Sequence, residues 1–288
     1  MSPTVSRTVR RPEPPSARAA NGLRDRPKLG EIAPRVLLPL TALGLGLAAW
    51  EAVVKVFALP PYELPAPSLV VETLIADRAL LLGSLLVTLE TAALGLALAF
   101  VGGTALAILF ARSRLLEATL YPYAVILQVT PVVAVAPLLL LYLPQPLAVL
   151  ACAWIVAFFP VLANTTLGLR SVDHGLVDLF DLYGASRRAR LFRLELPAAL
   201  PAMLAGLKIA GGLSLIGAVV AEIAAGSAGA GSGLAYRIAE SGYRLNVPRM
   251  VAALLLLSLA GVVIQAGLSL VAWLTLRRWH ESAIARER

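Results

Sequence analysis

Catalysis needs a nucleophile with its base, a set of metal ligands, or a loop that cradles phosphate, and this chain is poor in all three. Its one cysteine, Cys152, lies inside an apolar run, and only His174 and His280 join it as nitrogen or sulfur ligands. A closed structural zinc site needs four such groups, so no metal centre is expected, and the lone thiol reads as inert packing. Residues 226–233 (Gly-Ser-Ala-Gly-Ala-Gly-Ser-Gly) superficially match a phosphate loop, but no Gly-Lys-Ser/Thr follows them, so the run reads as a flexible turn. No triad-like set of Ser or Cys with His and an acid is present. The chain is not expected to be an enzyme, and no catalytic residue or bound cofactor is assigned to it.

What remains is a scatter of polar side chains within long apolar stretches: Glu90, Gln128, Thr130, Asn164, Glu222 and Gln265. Such groups are costly in hydrocarbon, and each is a functional candidate by default. Hydrogen bonding between helices is the plainer reading. Gln128, Thr130 and Pro131 are the best candidates for a translocation pathway. Pro131 and Pro137 free backbone groups that need a protein- or water-lined setting, and Asn164 and Glu222 complete the set. Gly102-Gly103 and Gly211-Gly212 suggest close helix packing.

The elements that carry these residues follow from composition. The chain has 288 residues, 59% hydrophobic and 15% charged, too little charge to cover a soluble domain of that length. Six apolar runs can each cross a bilayer as a helix: 36–58, 80–111, 120–143, 147–169, 203–225 and 250–276. The second is long enough to tilt or to extend past the membrane. Glu51 and Lys55, one turn apart near the end of the first, can pair or snorkel. Residues 1–35 are rich in Arg and Pro and read as a disordered basic tail. Arg10-Arg11 leads into Pro12-Glu13-Pro14-Pro15 rather than an apolar run, so the first span is expected to be retained. Residues 281–288 form a short C-terminal tail.

The net charge of +8 raises nucleic acid as a partner, but its distribution fits membrane topology better. With the N-terminus cytoplasmic, twenty Lys and Arg fall inside, counting Lys208 at a helix start, and five fall outside. That asymmetry places both termini in the cytoplasm.

One long loop, 171–201, lies on that cytoplasmic side. Leu176, Leu179, Phe180 and Tyr183 recur at helical spacing and make an apolar stripe. Gly184 suits the left-handed position that ends a helix, and Ser186 suits the cap of a second short helix. There Arg187, Arg188, Arg190 and Arg193 alternate with Leu191, Phe192 and Leu194. Pro197 and Pro201 are expected to end it before the fifth span. Two short amphipathic helices at the inner face follow, resting on anionic lipid or docking a soluble partner.

The run from Tyr183-Gly184-Ala185-Ser186 to Leu194-Glu195-Leu196-Pro197 resembles the signature loop of binding-protein-dependent ABC importer permeases, Glu-Ala-Ala, three residues, Gly, nine residues, Ile-x-Leu-Pro. Gly184 and Leu196-Pro197 fall at the required spacing, and Leu194 stands in for Ile. Asp178-Leu179-Phe180 replaces Glu-Ala-Ala, which keeps the acid and enlarges the two small residues. Gln128-Val129-Thr130-Pro131, Ala136-Pro137-Leu138, Phe158-Phe159-Pro160 with Asn164-Thr165, Gly206-Leu207-Lys208-Ile209-Ala210 and the 276–280 run look like the nitrate/sulfonate/taurine branch.

The resemblance, which spans residues 36–280, implies an all-α integral membrane fold of the six-span, type I importer (MetI-like) class. It also implies a homodimer in the bacterial inner membrane. Each subunit would dock a cytoplasmic ATPase, which binds ATP and Mg, through Asp178, Tyr183, Gly184, Ala185, Ser186, Arg187, Leu191, Leu196 and Pro197. A solute-binding protein outside would deliver the substrate, a small anion such as a sulfonate, nitrate or taurine, or a molecule like a vitamin precursor. An ion-coupled secondary transporter is the alternative. It needs an inverted repeat and intramembrane carboxylates, and no internal repeat stands out.

Overall fold

The computed structural model describes residues 29–226 and 231–277, all helices and connections. The basic tail through residue 28, half of the glycine run (227–230), and residues 278–288, which include most of the 276–280 run and the C-terminal tail, lie outside the described residues. Residues through Phe57 and residues from Ala58 onward form two separate units. In the first, α1 (Leu29–Val56) begins seven residues before the expected start of the span. Its Lys55 Nζ lies 2.8 Å from Glu51 Oε1, the one-turn pair expected from the spacing.

The second unit holds ten further helices. A short α2 (Pro67–Ala76) precedes α3 (Arg78–Arg112). At 1.5 Å per residue the 35 residues of α3 run about 50 Å, well beyond a hydrocarbon core of about 30 Å. Then come α4 (Arg114–Val129) and α5 (Val132–Tyr142), and next α6 (Gln145–Arg170). The loop region contains α7 (His174–Leu182) and α8 (Arg187–Arg190), and α9 (Leu196–Ala225) follows. Last are α10 (Leu234–Tyr243) and α11 (Val247–Leu276).

Two expectations fail here, both at prolines. The third span is not one helix, because α4 and α5 meet at an angle of 100°. Pro131 has no N–H to donate and disfavours helical backbone at the residue before it. Thr130 accordingly sits extended at ψ 122°, and its hydroxyl donates to the Ile126 carbonyl at 2.7 Å. Pro197 and Pro201, by contrast, end nothing. Helical backbone runs unbroken from Arg187 to Ala225, with residues Leu191–Glu195 wound as a π-turn. The Leu196 N–H reaches back five residues to Leu191, so the hydrogen-bond register has already slipped where Pro197 enters the helix. Lys208 therefore lies three turns inside α9, not at a helix start.

The bundle is organised around α6. Glycines on its neighbours let backbones approach, as small residues do between membrane helices. On α3, a Cβ at Gly95 would meet Ala153, and one at Gly103 would meet Val161, so α3 and α6 run parallel. On α9, Gly206 faces Pro160 and Asn164 while Gly217 faces Cys152 and Val156, so α9 runs antiparallel to α6. Of the glycine pairs noted in the sequence, Gly103 and Gly211 make close packings. Gly102 meets only a Phe158 ring at ordinary distance, and Gly212 faces open space. Cys152 is fully buried in this core. At the end of the bundle away from α7, Val70, Leu81, Leu234, Ala252 and Ala253 form a second cluster that seats α2 and α10.

Candidate functional site

The loop at 171–195 is built as its sequence dictates. Asp173 caps α7, its carboxylate accepting from the Gly175 N–H at 2.7 Å. At the other end the Gly184 N–H donates to the Asp181 carbonyl at 3.0 Å and the Ala185 N–H to Phe180 at 2.9 Å. Those two bonds, with Gly184 left-handed at φ 65°, make the helix ending in which glycine avoids a Cβ penalty. Ser186 then caps α8 by accepting from the Ala189 N–H at 3.2 Å, an interaction worth about 1 kcal/mol.

The apolar stripe of α7 is uncovered except at Phe180, which is half-buried. Leu176 and Leu179 are exposed, and Leu182 and Tyr183 are 81% exposed, while Asp178 and Arg187 also face out. Leu191 and Leu194 are instead buried, Leu191 within the bundle core, against which Leu196 packs. Of the residues assigned to the loop, Asp178, Tyr183, Gly184, Ala185, Ser186 and Arg187 form the outer part, and Leu191, Leu196 and Pro197 form the root.

The root carries a polar joint that hydropathy patterning did not reveal. Glu195, 8% exposed, accepts from Arg112 Nη2 at the end of α3 and from Arg190 Nε on α8, each at 2.9 Å. Arg190 also reaches Asp181 on α7 at 3.3 Å, and Arg112 donates to the Arg187 carbonyl at 3.3 Å. Arg170 pairs with Glu117, joining α6 to α4. A cleft of about 940 Å³ opens between α4 and the loop, lined by Arg114, Tyr121, Arg170 and His174 among others. The loop is therefore not packed flush on α4.

The five pathway candidates are dispersed. Gln128, Thr130 and Pro131 sit at the α4–α5 break, with Gln128 and Pro131 exposed. Asn164 is half-buried and donates to the Pro160 carbonyl of its own helix at 2.8 Å, beside Gly206. Glu222 is 5% exposed near the far end of α9. Its Oε2 accepts from the Thr88 hydroxyl at 2.9 Å and from the Ala235 N–H at 3.1 Å, and the Leu234 N–H donates to Thr88 at 2.8 Å. No hydrogen bond joins the five among the described residues. Thr88, Arg112, Asp181 and Glu195 had no individual role read from the sequence. Only the rule that a buried carboxylate seeks a donor could have flagged the last.

Comparison with known proteins defines the class first: a helical permease of the ABC importer type. A crystal structure of an amino acid ABC transporter with histidines superposes with a TM-score of 0.57 at 19% identity, over 69% of this chain and 96% of that one. Residues 99–273 match the family of binding-protein-dependent transport system inner membrane components, and the chain belongs to that family. A probable ABC transporter permease protein of Haemophilus influenzae is 38% identical over 77% of this chain and 90% of its own length. The formylaminopyrimidine transport permease ThiX of Halalkalibacterium halodurans is 33% identical over 75% of this chain and 86% of its own. Permeases named for riboflavin, aliphatic sulfonates and nitrate are among other relatives. The chain is thus a multi-pass, non-catalytic transport subunit. Its family implies the bacterial inner membrane, a separate ATPase that hydrolyses ATP, and a solute-binding protein. Transport in this family is ATP-driven, which displaces the ion-coupled alternative.

Proposed function

We propose that this chain, as a homodimer with both termini in the cytoplasm, moves a small solute inward, and that its 171–195 loop is the surface that docks the ATPase. The observation that carries this reading is the exposed stripe of Leu176, Leu179, Leu182 and Tyr183, presented on a helix whose two ends are capped and whose root is pinned. An apolar stripe held rigidly suits a protein partner, because uncovered large side chains concentrate at binding surfaces. The Lys/Arg asymmetry supports the orientation. The α4–α5 break, with Gln128, Thr130 and Pro131, is the best site for the route itself, since irregular backbone in a membrane belongs where protein or water lines it. Glu222 ties α9 to α3 and α10, and Asn164 bonds within α6; both remain candidates for the same route.

The relatives named for formylaminopyrimidine, riboflavin, sulfonates and nitrate support a small anion or a small heterocycle as substrate. Identifying which solute the cognate binding protein holds tests that class. For docking, the test is Gly184→Val against Gly184→Asn. No atom lies within 4 Å of a Cβ at Gly184, so bulk is tolerated and only the left-handed backbone is strained, by about 1–3 kcal/mol for valine. Asparagine adopts that backbone readily. Expected is loss of ATPase stimulation in reconstituted vesicles for valine and retention for asparagine. Equal stimulation by both would favour a loop that merely rests on lipid.

A further inference from the structure

The exposed stripe explains how a partner is gripped, but it does not explain how a push on α7 and α8 reaches the bundle. The continuous helix from α8 through the π-turn into α9 is one route. A second is polar. The Glu195 carboxylate is buried, and its two oxygens are taken by guanidinium groups from different elements: Arg112, on the last turn of α3, and Arg190, on α8. Arg190 extends the bridge to Asp181 on α7. The residues joined lie 83 positions apart in the chain.

The π-turn is what makes this possible. A π-turn inserts one residue into an α-helix. Relative to a regular continuation of α9, that rotates everything before it by about 100°, the angle per residue of an α-helix. The turn spans Leu191–Glu195, so it sets both which side of the helix meets the end of α3 and where Arg190 stands relative to Glu195. Buried carboxylates of this kind are stable only while every donor stays in place.

We infer that Glu195 is a positioning residue that locks the α7–α8 coupling element to the end of α3, so that the two move as one body when the ATPase closes. This rests on the docking reading above. Glu195 touches neither substrate nor nucleotide in this role. Its effect is to make the stroke reach α3 and, through the close α3–α6 packing at Gly95 and Gly103, the centre of the bundle.

The test measures one distance in two states and needs no transported solute. Spin labels go on cysteines introduced at Leu109 and Arg188, both exposed, while the native Cys152 is fully buried and stays unlabelled. The permease is reconstituted with its ATPase, and the pair distance is read without nucleotide and after trapping with ATP and vanadate. In the otherwise native chain the distance should not change between states. In Glu195→Gln, and independently in Arg112→Met, it should shift by at least about 1–2 Å, the scale of helix shifts in switching proteins. The double variant should shift no more than either single one, and Arg112→Lys should restore part of the invariance. A residue needed only for stability would lower the yield of complex and leave the distance invariant.

A shift in the otherwise native chain, or none in either variant, overturns the inference while leaving docking intact. Failure of the ATPase to cross-link to Leu182 or Tyr183 overturns docking, and this inference falls with it.

Discussion

Thr88 offers a sharp test of how the end of the bundle away from α7 is closed. Its hydroxyl does two things: it donates to Glu222 Oε2 at 2.9 Å and accepts from the Leu234 N–H at 2.8 Å, at the first residue of α10. Replacing it by valine keeps the shape and removes both. The Leu234 N–H is left without a partner in a fully buried place, at a cost of about 1–3 kcal/mol. Glu222 keeps only the Ala235 N–H, because its Oε1 has no partner among the described residues, and loss of that donor costs a similar amount. Together the change should weaken the seating of α10 by about 2–6 kcal/mol.

Hydrogen exchange on the purified protein reads this directly. Amides of α10 should exchange at least about 30-fold faster in Thr88→Val, the lower bound of that range, if local opening sets their protection. Thr88→Ser keeps the hydroxyl and should stay near the native rate. Gly233→Ala should act like valine at 88, because a Cβ there would fall inside the Glu222 carboxyl group. Native protection of α10 in Thr88→Val would refute the latch and return Glu222 to the translocation route.

Three further outcomes are expected. Gly206→Ala places a Cβ 2.7 Å from Asn164 Cβ and 2.8 Å from the Pro160 carbonyl, so thermal unfolding in detergent should show a loss of about 1–3 kcal/mol from overpacking. Gly212→Ala meets nothing within 4 Å and should be neutral or gain about 0.5–1 kcal/mol of helix stability. Single cysteines at Glu63 and Pro144 should react with an impermeant thiol reagent from outside the cell, and one at Arg188 only after the membrane is opened. Outside labelling at Arg188 would invert the orientation.

What the sequence made legible was local. Gly184 and Ser186 act within a few residues of themselves, so a helix ending and a helix cap could be read from residue type alone, and both are formed. Hydropathy located the apolar stretches because the bilayer demands length and composition and nothing finer. It could not show that α4 and α5 are two helices. A window average has no direction, so 100° of bend leaves it unchanged.

Proline was an ambiguous witness for the same reason. It can break a helix or ride inside one, and residue type alone does not say which. At Thr130 the side-chain hydroxyl turns back to Ile126 and the chain bends. At Pro197 the preceding π-turn has already moved the hydrogen bonds from four residues to five, and the helix passes straight through. Glu222 and Glu195 show the limit most plainly. Each is an acid in or beside a span, alike by composition, yet each is defined by donors far away in sequence. Glu222 needs a hydroxyl on α3 and the bare backbone at Gly233, and Glu195 needs Arg112 brought up by the end of α3. Until the helices are packed, neither carboxylate has a role that residue type could reveal. The same packing makes the two acids opposites, one seating a helix at the far end of the bundle and the other pinning the root of the 171–195 loop.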